Sequence, residues 1–470
     1  MIISGPLARF LQVKHMVPDS FLQSALPSEG TAYRNAFRIA WPSAIESAFI
    51  ALISAADTMM VGSLGPAAIS AVGISSQPRM IMLSLIISLN MGVTAVISRR
   101  KGAGDQAGAN QCLKQGLLYS ICISLIACSL VYVFAMPILR VVGAGPDFLP
   151  MAAIYLRIIC LGTFFYGLSL TINASQRGIG NTQLALRTNL TANIVNVVFN
   201  YLLIGGHFGF PRLGIQGAAI ATALGNIIAF LMSVASVISR RNYIHLGFPG
   251  RWRPSQSLFS SLYKVSSSGL AEQLCIRFGM LAYTRVVSSL GVVGYASHVI
   301  MMSFYSVTYN LCDGFGVGAA ALVGQSLGAR RRDLAMMYGR VTQRLAFAIS
   351  AAAAGLLYSV RFPLVRLFSE DIQVIALASK LILILVVVTL VQTVQIIYAN
   401  ALRGAGDTAY VAKQALVGLG IMRPLSSYLL AYPLGLGVIG AWLGILADQL
   451  IRSLLLAKRF SGGQWTKIDL

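Results

Sequence analysis

Apolar residues form twelve long stretches along the chain, and short polar connections separate them. Each stretch has roughly 20 residues or more, which is the length that an α-helix needs to cross a bilayer. Apolar and polar residues do not alternate within the stretches, so the pattern excludes a membrane β-barrel. The pattern predicts twelve transmembrane helices, here called segments 1–12, over residues 37–62, 68–98, 110–137, 150–174, 183–206, 213–239, 264–288, 293–325, 339–361, 373–401, 410–432 and 436–457.

Composition and charge distribution support an all-α membrane protein. Of the 470 residues, 56% are hydrophobic and 11% are charged. The formal net charge of +22 does not indicate a nucleic acid partner, because the basic residues lie in short runs between apolar segments. The runs follow every second segment, for example at 99–101, 240–241, 330–332 and 458–459. This positive-inside distribution predicts that both termini are cytoplasmic.

An internal repeat relates the two halves of the chain. Residues 40–104 match residues 266–330 at a constant offset of 226, with 14 identical residues in 65 positions. The same offset aligns QRGIGNT (176–182) with LRGAGDT (402–408). Parallel repeats of this kind are typical of transporters that work by alternating access.

The repeat predicts two six-helix lobes related by a pseudo-two-fold axis. The N-lobe spans residues 35–239 with segments 1–6, and the C-lobe spans residues 259–458 with segments 7–12. Residues 240–258 are predicted to form a basic cytoplasmic linker between the lobes. We expect residues 1–34 to be a cytoplasmic lead-in and residues 459–470 to be a cytoplasmic tail.

Two short motifs, RGIG and RGAG, follow segments 4 and 10. Their glycines are expected to end these helices where a positive φ is needed. Their arginines, Arg177 and Arg403, are expected to stay on the cytoplasmic side.

These motifs, together with DTMMVGSLG (57–65) and VGQSLGARRRD (323–333), resemble those of the multidrug and toxic compound extrusion (MATE) family. The resemblance covers residues 35 to 458. The glutamate-bearing starts of the two lobes, WPSAIES and SGLAEQ, are similar to the DinF-like bacterial branch. The resemblance implies a V-shaped, twelve-helix bundle in the bacterial inner membrane. It also implies a monomer that expels small organic compounds, usually cationic, in exchange for H⁺ or Na⁺, and that needs no cofactor.

Asp57 is the leading candidate for the coupling site. The resemblance places the acidic residue of segment 1 there, as the proton or sodium site of the N-lobe. A carboxylate in a low-dielectric cavity can load and release a proton. The alternative is that Asp57 lies near the outer end of the helix and simply reaches water.

Segment 5 carries a ladder of amides at i, i+4, i+7 and i+11: Asn189, Asn193, Asn196 and Asn200. Amides in hydrocarbon need partners, so this stripe must face a polar cavity or another helix. The resemblance places Asn196 and Asn200 beside Asp57, where the three residues are a possible Na⁺ site. The alternative is that the amides only hold helices together.

Glu46 and Glu272 occupy equivalent positions in the cytoplasmic halves of segments 1 and 7. Two roles are open for them. Either they take substrate cations at the inward mouth, or they brace the two lobes together. Arg277 and Arg285 on segment 7 are the predicted counter-charges of Glu272.

Two further acids lie at membrane depth. Asp313 precedes three glycines on segment 8, at 314, 316 and 318, and is a candidate for lining the cavity. Asp448 lies one helical turn from Arg452, which predicts a structural ion pair.

We therefore expect a secondary active efflux antiporter. The alternative within the same superfamily is a flippase for a lipid-linked precursor. Flippases of this kind tend to have cationic cavities, whereas this chain has more acids than cavity-placed bases at membrane depth. An intramembrane hydrolase is not expected, because no HExxH, GxSxG or paired aspartate motif is present.

Overall fold

The computed structural model describes residues 12–62, 64–239, 242–247, 252, 255–366, 368 and 371–468. These residues form helices and connections without any β-strand. The described part of the chain therefore confirms the predicted all-α class.

Each of the twelve predicted segments corresponds to one long helix in the described ranges. The helices are α1 Glu29–Gly62, α2 Pro66–Gly102, α3 Gln106–Val133, α4 Leu149–Gly178, α5 Thr182–Gly205, α6 Ile215–Ile238, α7 Gln256–Ser288, α8 Val292–Gly328, α9 Arg332–Ser359, α10 Ile372–Gly404, α11 Thr408–Ala431 and α12 Gly437–Ser461. Helix α11 is continuous through a π-helical stretch at Leu416–Met422. By length and composition alone, seven of them are apolar enough to cross a membrane: α2, α3, α4, α6, α9, α10 and α12.

The helices form two compact units, which we call the N-unit and the C-unit. The N-unit is Ile45–Ser266, and the C-unit consists of the residues up to Ala44 together with those from Ser267 onward. The divisions fall inside α1, between Ala44 and Ile45, and inside α7, between Ser266 and Ser267. The lobe bounds 35–239 and 259–458 stay predictions.

In the N-unit, α4 packs closely against α2 and α6. Small residues permit this approach. A Cβ added at Gly162 of α4 would lie 2.6 Å from the Cα of Ala223 on α6 and 3.0 Å from its Cβ. This packing places the polar residues of α2, α4 and α6 around a common interior.

In the C-unit, α10 packs against α8 and α12. The residues that precede α1 belong to this unit. Val13, Met16 and Val17 are buried against α8 and α9, and Arg340 of α9 donates a 2.8 Å hydrogen bond to the carbonyl of Met16. The described part of the lead-in is therefore packed structure.

The repeat is visible in the backbone as well as in the sequence. Gly65 and Gly291 precede α2 and α8 with φ of 95° and 91°, and Gly180 and Gly406 both have φ of 87°. In each of these two pairs, the glycines are 226 residues apart. Positive φ favours glycine because a Cβ is disfavoured there, so the second glycine of RGIG and of RGAG is the one that the turn requires.

We predict that Gly162→Ala destabilises the protein by about 1–3 kcal/mol, because the added methyl group overpacks the contact between α4 and α6. Thermal unfolding in detergent measures the effect. Gly73→Ala in α2 is the matched control, since a Cβ there meets no atom within 4 Å. An unchanged unfolding temperature for Gly162→Ala would contradict the packing described here.

Candidate functional site

The N-unit contains a half-open polar cavity of about 210 Å³. Five helices contribute to it: α1, α2, α4, α5 and α6. Its lining residues are Ile50, Ile53, Asp57, Arg79, Tyr166, Asn189, Ala192, Asn193, Asn196, Thr222, Gly225 and Asn226. The cavity therefore contains Asp57 and three of the four amides of the predicted ladder.

A hydrogen-bonded chain starts at Asp57 and runs through α5 to α6. Asn200 donates to the Asp57 carboxylate, and its Nδ2 also lies 3.4 Å from Oδ1 of Asn196. Asn196 in turn donates a 3.1 Å hydrogen bond to the hydroxyl of Thr222. Helical spacing on α5 creates this chain, because residues four apart lie on the same face.

The amide ladder has two sets of partners. Its first member along the chain, Asn189, donates a 2.5 Å hydrogen bond to the carboxylate of Glu46. Asn193 lines the cavity between the two ends. The ladder thus connects the surroundings of Glu46 with those of Asp57 along one face of α5.

Arg79 of α2 is a charged cavity residue that the sequence analysis missed, and Thr222 and Asn226 of α6 are polar ones. Arg79 lies directly after Pro78, which α2 accommodates within the helix. The sequence contains a signal for Arg79, because an arginine within an apolar segment is costly and therefore faces a cavity or a partner. Among the described residues Arg79 makes no ion pair, and its Nε is buried without a hydrogen bond.

Two equivalent ion pairs hold the glutamates. In the N-unit, Arg177 binds Glu46 at 2.5 Å. In the C-unit, Arg403 binds Glu272, and its Nε lies 3.2 Å from Oε2 of that residue. Glu272 and Arg403 each lie 226 residues after their counterparts in the N-unit.

These pairs bear on the two roles that were left open for Glu46 and Glu272, because each glutamate already has an arginine partner. Arg177 and Arg403 come from the RGIG and RGAG motifs at the ends of α4 and α10, and each reaches a glutamate that is less than 5% exposed. Each pair lies within one unit. Arg403 is a counter-charge of Glu272 that the sequence analysis did not predict.

Asp313 joins the C-unit pair through one amide. Asn400 donates a 3.1 Å hydrogen bond to Asp313 and accepts another of 3.1 Å from Arg403. Asp313 is therefore linked to Glu272 through Asn400 and Arg403. A Cβ at the neighbouring Gly316 would collide with Asn400, so the glycine admits this amide.

Asp448 forms the predicted ion pair and one further ion pair. Arg452 pairs with it at 2.7 Å, which confirms the expected contact one turn away. Arg423 of α11 binds the same carboxylate at 2.7 Å, and all three side chains are nearly fully buried. The triad fixes α11 to α12.

We predict that Glu46→Gln lowers the unfolding free energy by about 3 kcal/mol, because it leaves the Arg177 charge without its partner. Denaturant unfolding in detergent, completed as a cycle with Arg177→Gln and the double variant, measures the coupling.

We expect a coupling energy of about 2 kcal/mol in that cycle. The cycle of Glu272→Gln and Arg403→Gln repeats the experiment in the C-unit. Strictly additive effects in both cycles would show that the ion pairs do not contribute to stability.

Comparisons with known proteins agree with this architecture. The chain is 25% identical over 448 residues to the uncharacterized transporter YisQ of Bacillus subtilis, covering 95% of this chain and 98% of that protein. It is 24% identical to a probable multidrug resistance protein NorM of Thermotoga maritima, covering 95% and 97%. Its fold matches that of a solved outward-facing multidrug resistance MATE family transporter of the MOP superfamily, with a TM-score of 0.84, 21% identity and coverage of 92% and 97%. The MatE family model matches residues 42–202 and 270–429, so the chain belongs to the MatE family.

Proposed function

We propose that this protein is a secondary active efflux antiporter that exports organic compounds in exchange for H⁺ or Na⁺. The observation that carries the proposal is the position of Asp57. It is a carboxylate without an ion-pair partner among the described residues, it lines the cavity of the N-unit, and it is bound by an amide. Relatives of the chain are named multidrug resistance proteins.

Asp57 serves as the coupling residue in this proposal. A carboxylate at membrane depth is costly when charged and becomes much less costly when a proton or a cation neutralises it. Ion loading therefore changes which arrangement of the surrounding helices is favourable. That difference is what alternating access requires, because a ligand shifts a conformational equilibrium only through its differential affinity for the two states.

Both coupling ions fit the residues at the site. A proton needs only the carboxylate and its neighbouring amide. Sodium needs oxygen ligands, and the Asp57 carboxylate, the side-chain oxygen of Asn196 and that of Asn200 supply them. The Asn200 oxygen is buried without a hydrogen bond, so it has free capacity for a cation.

The remaining acids have supporting roles in the proposal. Glu46 and Glu272 are neutralised by Arg177 and Arg403, so we assign them to positioning α1 and α7 within their own units. Asp313 is assigned to the same polar network in the C-unit. Asn193 and Asn189 extend the polar surface of the N-unit cavity along α5.

The cellular setting follows from the helices and the basic loops. We propose a multi-pass monomer in the bacterial inner membrane with both termini in the cytoplasm. The flippase alternative is not favoured, because the named relatives are multidrug resistance proteins.

We predict that Asp57→Asn reduces dye export at least about tenfold, because an amide cannot exchange a proton. Purified protein is reconstituted in liposomes with a fluorescent cationic dye, and a pH gradient or a Na⁺ gradient is imposed separately. Asp147→Asn is the matched control, since Asp147 is exposed in the connection before α4.

The gradient that drives transport identifies the coupling ion. Full activity of Asp57→Asn under the driving gradient would remove Asp57 from the coupling step. Absence of dye movement by the wild type under either gradient, with the protein verified in the membrane, would contradict the antiporter proposal and favour the flippase.

A further inference from the structure

Two hydrogen-bond donors in the N-unit cavity lack partners. One is Nε of Arg79, and the other is Nδ2 of Asn226; both atoms are buried. Asn226 is 9% exposed, and both residues line the cavity that contains Asp57. Buried donors without acceptors cost free energy, so an arrangement that keeps two of them in one cavity indicates a ligand that accepts hydrogen bonds.

The charges of the cavity support the same conclusion. Asp57 and Arg79 are the charged residues among its lining residues, and their formal charges cancel. No ion pair within 4 Å joins them among the described residues. Opposite charges that share a cavity without neutralising each other directly leave both available to a ligand that bridges them.

The repeat shows that these charges are not inherited from the common fold. At the offset of 226, Asp57 corresponds to Tyr283 and Arg79 corresponds to Tyr305. Both charges are therefore absent from the equivalent positions of the C-unit. In contrast, the pairs Glu46–Arg177 and Glu272–Arg403 occur in both units. The joint presence of Asp57 and Arg79 in one unit indicates that they serve one site.

We propose that Arg79 and Asn226 form a subsite for an anionic group of the substrate, while Asp57 faces its cationic group. The substrate class is a zwitterionic amphiphile with a carboxylate and an ammonium or iminium group. This inference rests on the proposed efflux function. Guanidinium and amide donors suit a carboxylate, because charge-assisted hydrogen bonds are the strong ones.

The size of the cavity limits what enters it. Pockets that enclose drug-sized ligands have volumes of about 300–1,000 Å³, whereas this cavity has about 210 Å³. It therefore receives the charged end groups and some water. The apolar body of the substrate remains outside it.

A matched pair of dyes tests the proposal. Rhodamine B carries a free carboxylate and is zwitterionic, and its ethyl ester has the same chromophore but is cationic. We predict that Arg79→Gln lowers transport of rhodamine B about tenfold and leaves transport of the ester unchanged or increased, as measured in liposomes under the driving gradient. Arg79→Lys is expected to restore part of the preference.

Two further variants complete the design. Arg187→Gln is the matched control, because Arg187 is an exposed arginine of α5 that does not line the cavity. Asn226→Leu removes the second donor and is expected to lower transport of rhodamine B selectively. It carries the test if Arg79→Gln fails to accumulate in the membrane.

The outcomes separate the two proposals. Equal loss of both dyes in Arg79→Gln and Asn226→Leu, or no loss of either, would overturn the anionic subsite while export of the ester still supports the antiporter. A wild type that exports only the ester would overturn the subsite in the same way. Failure of the wild type to export either dye would contradict the efflux function itself.

Discussion

The structure depends on one constraint: a charge at membrane depth must be compensated. Most acids of the described interior satisfy this through arginine. Glu46 binds Arg177, Glu272 binds Arg403, and Asp448 binds both Arg423 and Arg452. Except for Arg452, which lies on the same helix as Asp448, each of these arginines connects two helices of one unit. Compensation of buried charge therefore also determines how the helices are joined.

Asp57 differs from these acids because its observed partner is an amide. Asn200 can donate to a carboxylate, but it cannot neutralise it. In the proposed function, the carboxylate therefore keeps its requirement for a proton or a cation. A fixed arginine salt bridge at the same position would satisfy that requirement permanently and would leave nothing for ion exchange to change.

The residue pattern was sufficient for the helices, the repeat and the polar stripe of α5, whereas the position of Asn200 beside Asp57 was expected only from the family resemblance. Twelve apolar segments and a constant offset are local or periodic signals, and the α5 ladder is a helical stripe. The partners of Glu46 and Glu272 were not predicted, because Arg177 and Arg403 lie 131 residues further along the chain and belong to motifs that were expected only to end helices. The repeat contained the missing signal, since both members of each pair recur at the same offset. Arg79 has no charged counterpart at the offset of 226, where Tyr305 stands, so the repeat contains no signal for it.

The two units use one framework for different purposes. Their shared ion pairs and positive-φ glycines preserve the helix connections, whereas the interior positions have diverged. Tyr283 and Tyr305 stand where the N-unit has charges, and the C-unit has an additional set of buried, paired charges in the Asp448 triad between α11 and α12. Charge that is fully paired stabilises a single arrangement of helices. In the N-unit, Asp57 and Arg79 line one cavity and form no ion pair among the described residues, so the proposed exchange of an ion or a ligand is assigned to that unit.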